Sequence, residues 1–219
     1  MDQTVTLKDE LNSRRALIFR ITHRDNVPWI LDNGLHCKNS RLLDPNFVPI
    51  GNLDLIQMRS RHPVPCGRGG FLSDYVPFYF TPLSPMFYNI KTGWRGLRRR
   101  ENEEIVIIAS SIHRLVDHGL HFAFTDRHAV LATAQFFTDS ADLNQLDWNI
   151  LQNKDFRRDP EDPEKIERYE SEALVYKLVP VTALGGIACY SRQTKDIVQA
   201  RVDERGLSTS VVVKQAWYF

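Results

Sequence analysis

Glu167-Arg168-Tyr169-Glu170-Ser171-Glu172-Ala173-Leu174-Val175-Tyr176-Lys177-Leu178-Val179 opens polar and closes as a run of β-branched, aromatic and leucine residues. Such a run predicts a strand. Strand side chains repeat every two residues, so Glu170 and Glu172 share a face if the strand begins at that entry. Glu172 leads straight into apolar sequence, where an unpaired charge is costly. A carboxylate tolerates that position when it has a partner or when chemistry requires it. A solvated strand end is the competing explanation, and the rest of the chain decides between the two.

Upstream, Ala16 to His23 reads as a buried strand. A short helix follows, with Asp25 or Asn26 as cap, Pro28 in the first turn and Asn33-Gly34 as the stop. Lys38 to Ile50 is irregular. Asn52 or Asp54 caps a helix through Leu55, Ile56 and Arg59, and His62-Pro63-Val64-Pro65 breaks it. Tyr75 to Phe80 and Ile105 to Ile108 read as strands. Ser110 or Ser111 caps a helix ending near Gly119. His121 to Phe124 is a further strand, and Thr125 or Asp126 caps a helix predicted through Phe137. Polar, helix-compatible sequence runs on to Asp159. After the Glu172 strand come Ile187 to Tyr190, a helix through Val202 and a last strand at Val211 to Val213. No repeat and no linker interrupts the pattern, so one α+β domain over residues 1–219 is expected.

The composition excludes several classes. Hydrophobic residues make up 42% and charged residues 25%, enough for a substantial core. The net charge of +1 is no polyanion-binding signature, so nucleic acid would need a local basic patch. Cys37, Cys66 and Cys189 form neither a CxxC pair nor a zinc spacing, which predicts a reduced, cytoplasmic protein without a structural metal. Neither a signal-peptide core nor a membrane-length apolar stretch is present.

Four motifs carry candidate chemistry. Arg20, Thr22 and His23 lie at a strand exit beside a helix start, which suits a phosphate or an amide; a surface arginine and a capping threonine are the alternative. Tyr75, Phe78, Tyr79 and Phe80 form an aromatic strand, either core or a stacking platform for a flat ring. The loop Cys66-Gly67-Arg68-Gly69-Gly70 matches no nucleotide-binding fingerprint and reads as a turn. Trp94-Arg95-Gly96-Leu97-Arg98-Arg99-Arg100 is the one basic run, a solvated loop or a contact for phosphates and stacked bases. In Phe124-Thr125-Asp126-Arg127-His128 the histidine falls in the first turn of the helix predicted there, where it either meets an anion or caps.

Taken in order, these segments resemble the DarT family of DNA ADP-ribosyltransferase toxins. The matching pieces are Phe19 to Asn26, Asp74 to Pro82 with Ser84-Pro85-Met86, Phe124 to His128, Arg168 to Val175, and Trp217-Tyr218-Phe219. They span nearly the whole chain and are most similar to the thymidine-modifying branch. The resemblance implies an ADP-ribosyltransferase fold of two packed, mostly antiparallel sheets with flanking helices. It implies transfer of ADP-ribose from NAD, as co-substrate and without metal, to a base in single-stranded DNA. The implied partner besides DNA is a macrodomain antitoxin, DarG. The family's catalytic glutamate falls on Glu172 and its catalytic arginine on Arg59, with Arg61 as alternative. Arg20, Thr22, His23, Asn26, Gly51, Arg59 and Tyr79 are then expected to hold NAD, Tyr79 by stacking on nicotinamide. His128, Arg127, Arg95, Arg98, Arg99 and Arg100 are expected to meet DNA. Arg20 stands where some relatives have histidine, and Glu170 replaces a glutamine common in the family.

The chemistry is consistent with that assignment. Breaking the nicotinamide–ribose bond builds positive charge on the sugar, and a fixed carboxylate facing it lowers the barrier. Alternatives are a protein or guanosine acceptor, or a catalytically silent single-strand-binding module. Paired glutamates also occur in glycosidases, but two carboxylates side by side on one strand face do not flank a sugar.

Overall fold

The computed structural model describes residues 6–219, apart from the side chains of Leu53 and Arg95. The strands are β1 (Leu17–His23), β2 (Leu35–His36), β3 (Tyr75–Tyr79), β4 (Ile105–Ser111), β5 (Phe122–Thr125), β6 (Phe136–Phe137), β7 (Glu172–Tyr176), β8 (Leu178–Val179), β9 (Gly186–Cys189) and β10 (Val211–Val213). The helices are α1 (Leu7–Glu10), α2 (Val27–Asn33), α3 (Leu53–Arg59), α4 (Pro85–Thr92), α5 (Ile112–Asp117), α6 (Trp148–Asn153), α7 (Lys165–Tyr169) and α8 (Arg192–Asp203).

The α+β class holds, and the two sheets are very unequal in size. Eight strands form one sheet in the order β10-β9-β4-β1-β3-β7-β5-β6, and β2 and β8 form a separate ribbon. All pairings in the large sheet are antiparallel except β9 with β10. The sheet is pinched in its middle. β1 pairs with β4 along seven positions, from Leu17↔Ser111 to His23↔Ile105, whereas β1 meets β3 at the single pair Phe19↔Tyr79. Two half-sheets therefore part from a common seam, and polar side chains can occupy the gap.

Burial explains why these strands form. Ile105, Val106, Ile107 and Ile108 are all buried, so β4 is apolar on both faces and shows no alternation. The main core runs through β1, β4, β7 and β9 to the aromatic C-terminus, where Phe19 meets Trp217 edge-on at 5.0 Å. A smaller cluster of Val64, Leu72, Tyr75, Ala129 and Leu174 sits under the glycine-rich loop.

Local signals worked where capping chemistry is strong. Asn52 caps α3 by accepting from the N–H groups of Asp54 and Leu55, and Ser111 caps α5. Helix α4 was not expected; Ser84 caps it and Pro85 opens it. The helix predicted from Thr125 through Phe137 is absent. Residues 126–134 turn, and Phe136–Phe137 add an edge strand to β5. The reason is that Thr125 Oγ1 donates to its neighbour Arg127 O instead of capping a helix. Beyond it, residues 140–145 form 3-10 turns and only α6 is helical before Asp159. Strand β7 begins at Glu172, and Glu170 is the C-cap of α7, so the two glutamates do not share a strand face.

Gly34 ends α2 with φ +83, and a Cβ there would lie 2.6 Å from Val179 O. Both the left-handed backbone and the close approach of β8 demand glycine. Gly34→Ala is expected to destabilise the protein by more than about 1 kcal/mol in urea unfolding; an unchanged midpoint would show that this junction is not constrained.

Candidate active site

The seam between the half-sheets opens into a cleft between β1, β3 and α3. Arg20, Thr22, Gly51, Arg59, Tyr79 and Glu172 line it, together with apolar groups that include Phe47, Ile50, Pro77 and Met86. Strand register brings the polar members together. Tyr79 is the partner of both Phe19 and Glu172, so the aromatic ring and the carboxylate meet at the pinch itself.

Glu172 is 1% exposed, and three elements satisfy it. Its Oε2 accepts from Arg59 Nη1 at 2.8 Å, at the end of α3. Its Oε1 accepts from the Ala129 N–H at 3.1 Å, in the turn after β5. Its own N–H donates to Thr125 Oγ1 at 3.2 Å. Burial opposes the ionised form, but Arg59, His128 and the Ala129 N–H outweigh it and hold the carboxyl below the usual range. Arg59 Nη2 is buried without an acceptor, so the guanidinium keeps an unused donor at the cleft. A ligand oxygen is the natural occupant of that donor.

His128 lies in a turn, not in a helix, and is 8% exposed. Its Nδ1 accepts from the Val130 N–H at 3.3 Å and lies 3.9 Å from Glu172 Oε1. Burial pushes its pKa down, with Glu172 acting in the opposite sense and Arg59 and His62 adding to the fall. The ring is therefore neutral near pH 7. On the other wall, Arg20 Nη1 donates to Pro77 O at 2.8 Å and ties the half-sheets together. Burial, with the like charge of Arg59, lowers the Arg20 pKa to about 10, so it remains a cation at neutral pH. Burial, with Glu172 and Glu170, drives the Tyr79 phenol far up, and it stays protonated.

Some predicted residues lie elsewhere. Asn26 is buried behind the cleft; it bonds Thr22 Oγ1 and clasps both the N–H and the carbonyl of Val48, which sets the loop carrying Phe47 and Ile50. His23 turns away and accepts from the Asp25 N–H, with Glu104 at 3.6 Å. Arg127 is not open to a phosphate, because Asp126, Glu164 and Glu167 surround it at 3.2, 3.0 and 3.8 Å. Arg100 is buried and paired with Glu104 at 2.8 Å. Arg98 and Arg99 are exposed, and the Arg95 side chain lies outside the described residues. Arg61 is exposed and does not line the cleft, which leaves Arg59 as the arginine that meets Glu172. Thr125 and the Ala129 N–H were missed as site groups: a backbone donor leaves no mark in sequence, and Thr125 resembled a helix cap.

Comparison with known proteins supplies relatives over nearly the whole chain. Residues 19–219 match the family model described as "ssDNA thymidine ADP-ribosyltransferase, DarT". A protein named DNA ADP-ribosyl transferase from Escherichia coli O127:H6 is 51% identical over 209 residues, 95% of this chain and 96% of that one. The structure of Thermus sp. 2.9 DarT in complex with ADP-ribosylated ssDNA superposes with a TM-score of 0.85 at 34% identity, covering 93% of this chain and 96% of that one. The same Thermus protein in complex with NAD+ gives 0.81 at 33% identity, covering 93% and 98%.

Two stability predictions follow from the buried charges. Arg59→Leu should cost about 3–5 kcal/mol in urea unfolding, because it strands a buried carboxylate, and Arg59→Leu combined with Glu172→Leu should recover most of that loss. Acid should act in two windows. The folded pKa of His128 is below its ordinary 6.5, so its contribution is present above 6.5 and lost as pH falls toward the lowered value. Glu172 contributes above its ordinary 4.5 and loses that contribution as pH falls through its own lowered value. His128→Gln should therefore flatten the stability slope just below pH 6.5 and leave the Glu172 window in place; an unaltered slope would rule out His128 as its source.

Proposed function

The chain belongs to the DarT family, and from that membership and the geometry of its cleft we propose that it acts on thymidine in single-stranded DNA through Glu172, Arg59, Tyr79 and His128. It is an NAD-dependent DNA ADP-ribosyltransferase. The observation that carries the site assignment is a buried carboxylate at the cleft, gripped on one oxygen by an arginine and on the other by a backbone N–H.

The lining residues suit NAD in charge and hydrogen-bonding groups. Arg20, Thr22 and Gly51 line the wall on which a diphosphate and ribose would rest, and a Cβ at Gly51 would meet nothing within 4 Å. Tyr79 offers its ring to nicotinamide. The spare donor of Arg59 suits a ribose, phosphate or base oxygen. When bound, NAD supplies the sugar carbon to be transferred, with neutral nicotinamide as the leaving group. The carbon–nitrogen bond to nicotinamide breaks, a bond to a ring nitrogen of the base forms, and that nitrogen loses its proton.

Glu172 acts electrostatically. Its charge faces the positive charge that grows on the ribose as nicotinamide departs, in a site shielded from water. Two fixed donors hold its oxygens, so little reorganisation accompanies the reaction. Arg59 both anchors this carboxylate and presents its second nitrogen toward the ligand. Neutral His128 stands beside the carboxylate with its one ring lone pair engaged by the Val130 N–H, so its Nε2 carries the proton and can donate to an oxygen of the base. Asn26 acts indirectly through the loop it clasps. Arg98 and Arg99 remain exposed cations for the DNA backbone, and the macrodomain antitoxin is the protein partner consistent with family membership.

Incubation with NAD and oligonucleotides of defined base content, followed by intact-mass analysis, tests this assignment. A mass gain of one ADP-ribose is expected only on strands that contain thymine. Gain on guanine-only strands, or on protein alone, would overturn the thymidine assignment. Glu172→Gln should lower transfer at least about a hundredfold while the protein stays folded. Calorimetry should show weaker NAD binding for Tyr79→Ala and near-normal binding for Tyr79→Phe, which keeps the ring; equal affinities in both would remove Tyr79 from the nicotinamide site.

A further inference from the structure

A second pocket lies on the same face of the sheet as the cleft, and Gly67, Arg68, Tyr75, His121 and Thr138 line it. Its position follows from register. Tyr79↔Glu172 and Tyr75↔Tyr176 are pairs of the same β3–β7 ladder, four residues apart. Residues an even number apart on a strand share a face, so Tyr75 and Tyr176 project on the side where Tyr79 and Glu172 project. At a strand rise of roughly 3.3 Å per residue the two sites are about 13 Å apart. That spacing corresponds to about four nucleotides of stacked strand at ~3.4 Å each, and to fewer when the strand is stretched.

The pocket has the chemistry of a nucleotide subsite. The Arg68 guanidinium stacks 5.6 Å from the Tyr176 ring centroid and has no ion-pair partner among the described residues. Tyr75 packs edge-on against the same ring at 5.2 Å. The nearby Asp74 is already taken by Lys177, whose ammonium lies 5.1 Å from that ring. Gly67 has φ +58, and a Cβ on it would come 3.3 Å from Thr138, so glycine lets the loop settle on the β6 end of the sheet. An arginine on an aromatic face binds both a phosphate and a stacked base.

The connection between the two sites is basic throughout. From Arg59 to Ser73 the chain carries Arg59, Arg61, His62 and Arg68 and not one aspartate or glutamate. The Arg95–Arg100 run is different: Glu101, Glu103 and Glu104 follow it, Arg100 pairs with Glu104, and Arg99 lies 3.7 Å from Glu101. An anionic strand leaving the cleft therefore meets less opposition along the Arg59–Arg68 loop.

We infer that the pocket formed by Arg68, Tyr75, His121 and the glycine-rich loop is a subsite for a flanking nucleotide of the single-stranded DNA, with Arg68, seated on the Tyr176 ring, on its phosphate. This rests on the DNA-modifying reading of the cleft. It assigns the glycine-rich loop to the DNA rather than to NAD. It also explains why an exposed arginine and two tyrosines are gathered at a sheet end remote from the reacting atoms.

Steady-state transfer on two thymine-containing oligonucleotides tests the subsite. One is a long strand with extended flanks, and the other has a single nucleotide on each side of the target and cannot reach the pocket. Arg68→Glu and Tyr176→Ala should each raise KM for the long strand about tenfold or more, with kcat unchanged. On the minimal strand both variants should match the wild type. The salt dependence of long-strand affinity should also flatten in Arg68→Ala, by about 0.7 in the log–log slope for one lost phosphate contact. An unchanged KM on the long strand, or an equal loss on both strands, would overturn the subsite. Absence of transfer by the wild type to any oligonucleotide would instead overturn the reading of the cleft, and the subsite with it.

Discussion

A carboxylate that is 1% exposed must find its partners inside the protein, and Glu172 draws them from three directions. Arg59 arrives from the end of α3 and the Ala129 N–H from the turn after β5 to meet the carboxylate, while Thr125, on the strand beside β7, accepts from the Glu172 backbone N–H. Much of the surrounding architecture keeps that convergence in place. Arg127 bridges its turn to the α7 region through Glu164 and Glu167, and the His128 N–H donates to Glu167 O. Thr125 Oγ1 donates to Arg127 O and closes the same turn. Arg127 thus serves the carboxylate at a distance, by fixing the segment whose backbone touches it.

The cleft exists because the sheet nearly fails to close. Seven register pairs join β1 to β4, and one joins β1 to β3. Where the half-sheets part, their facing groups would be unsatisfied in a solid core. Arg20 spans the gap to Pro77 O, and Asn26 and Thr22 form a buried polar cluster behind it. These groups combine structural bonding with a place at the wall of a pocket, so a functional reading and a stability reading of the same residue are both correct. The distinction lies in which atoms are left over, and at this site the leftover donor is Arg59 Nη2.

Much of this was legible in the sequence because it depended on local chemistry. The β1 strand, the Asn52 cap, the Gly34 stop and the β7 strand are set by apolar runs and capping residues, and each stands within a residue or two of its expected place. Glu172 was identifiable by the conflict between its charge and its apolar neighbours. Residues 126–137 were misread because Asp126 and Arg127 resemble the first turn of a helix, whereas Arg127 pairs with the distant Glu164 and Asp126 accepts from the Gln135 N–H. Glu170 was placed on the Glu172 face because the strand was assumed to begin two residues early. The stop is tertiary: the Tyr169 hydroxyl donates to Leu83 O, and α7 continues up to that anchor.

Surface charge shows the same limit from the other side. In sequence, Arg95 to Arg100 is the densest positive run and the Gly67–Gly70 loop looks like a turn. In the fold, the glutamates after the basic run return to it, since Arg100 is bound to Glu104 and Lys91 to Glu101. A positive charge with a carboxylate at 3 Å projects little field toward a polyanion, because the pair is nearly neutral beyond a Debye length of roughly 10 Å at 0.1 M salt. Arg68 has no such partner among the described residues and lies over an aromatic ring instead. The count of basic residues is therefore a poor guide to where a strand would lie. The useful quantity is the charge left after internal pairing, and Arg61 and Arg68, on the loop that follows the paired Arg59, have no carboxylate partner among the described residues.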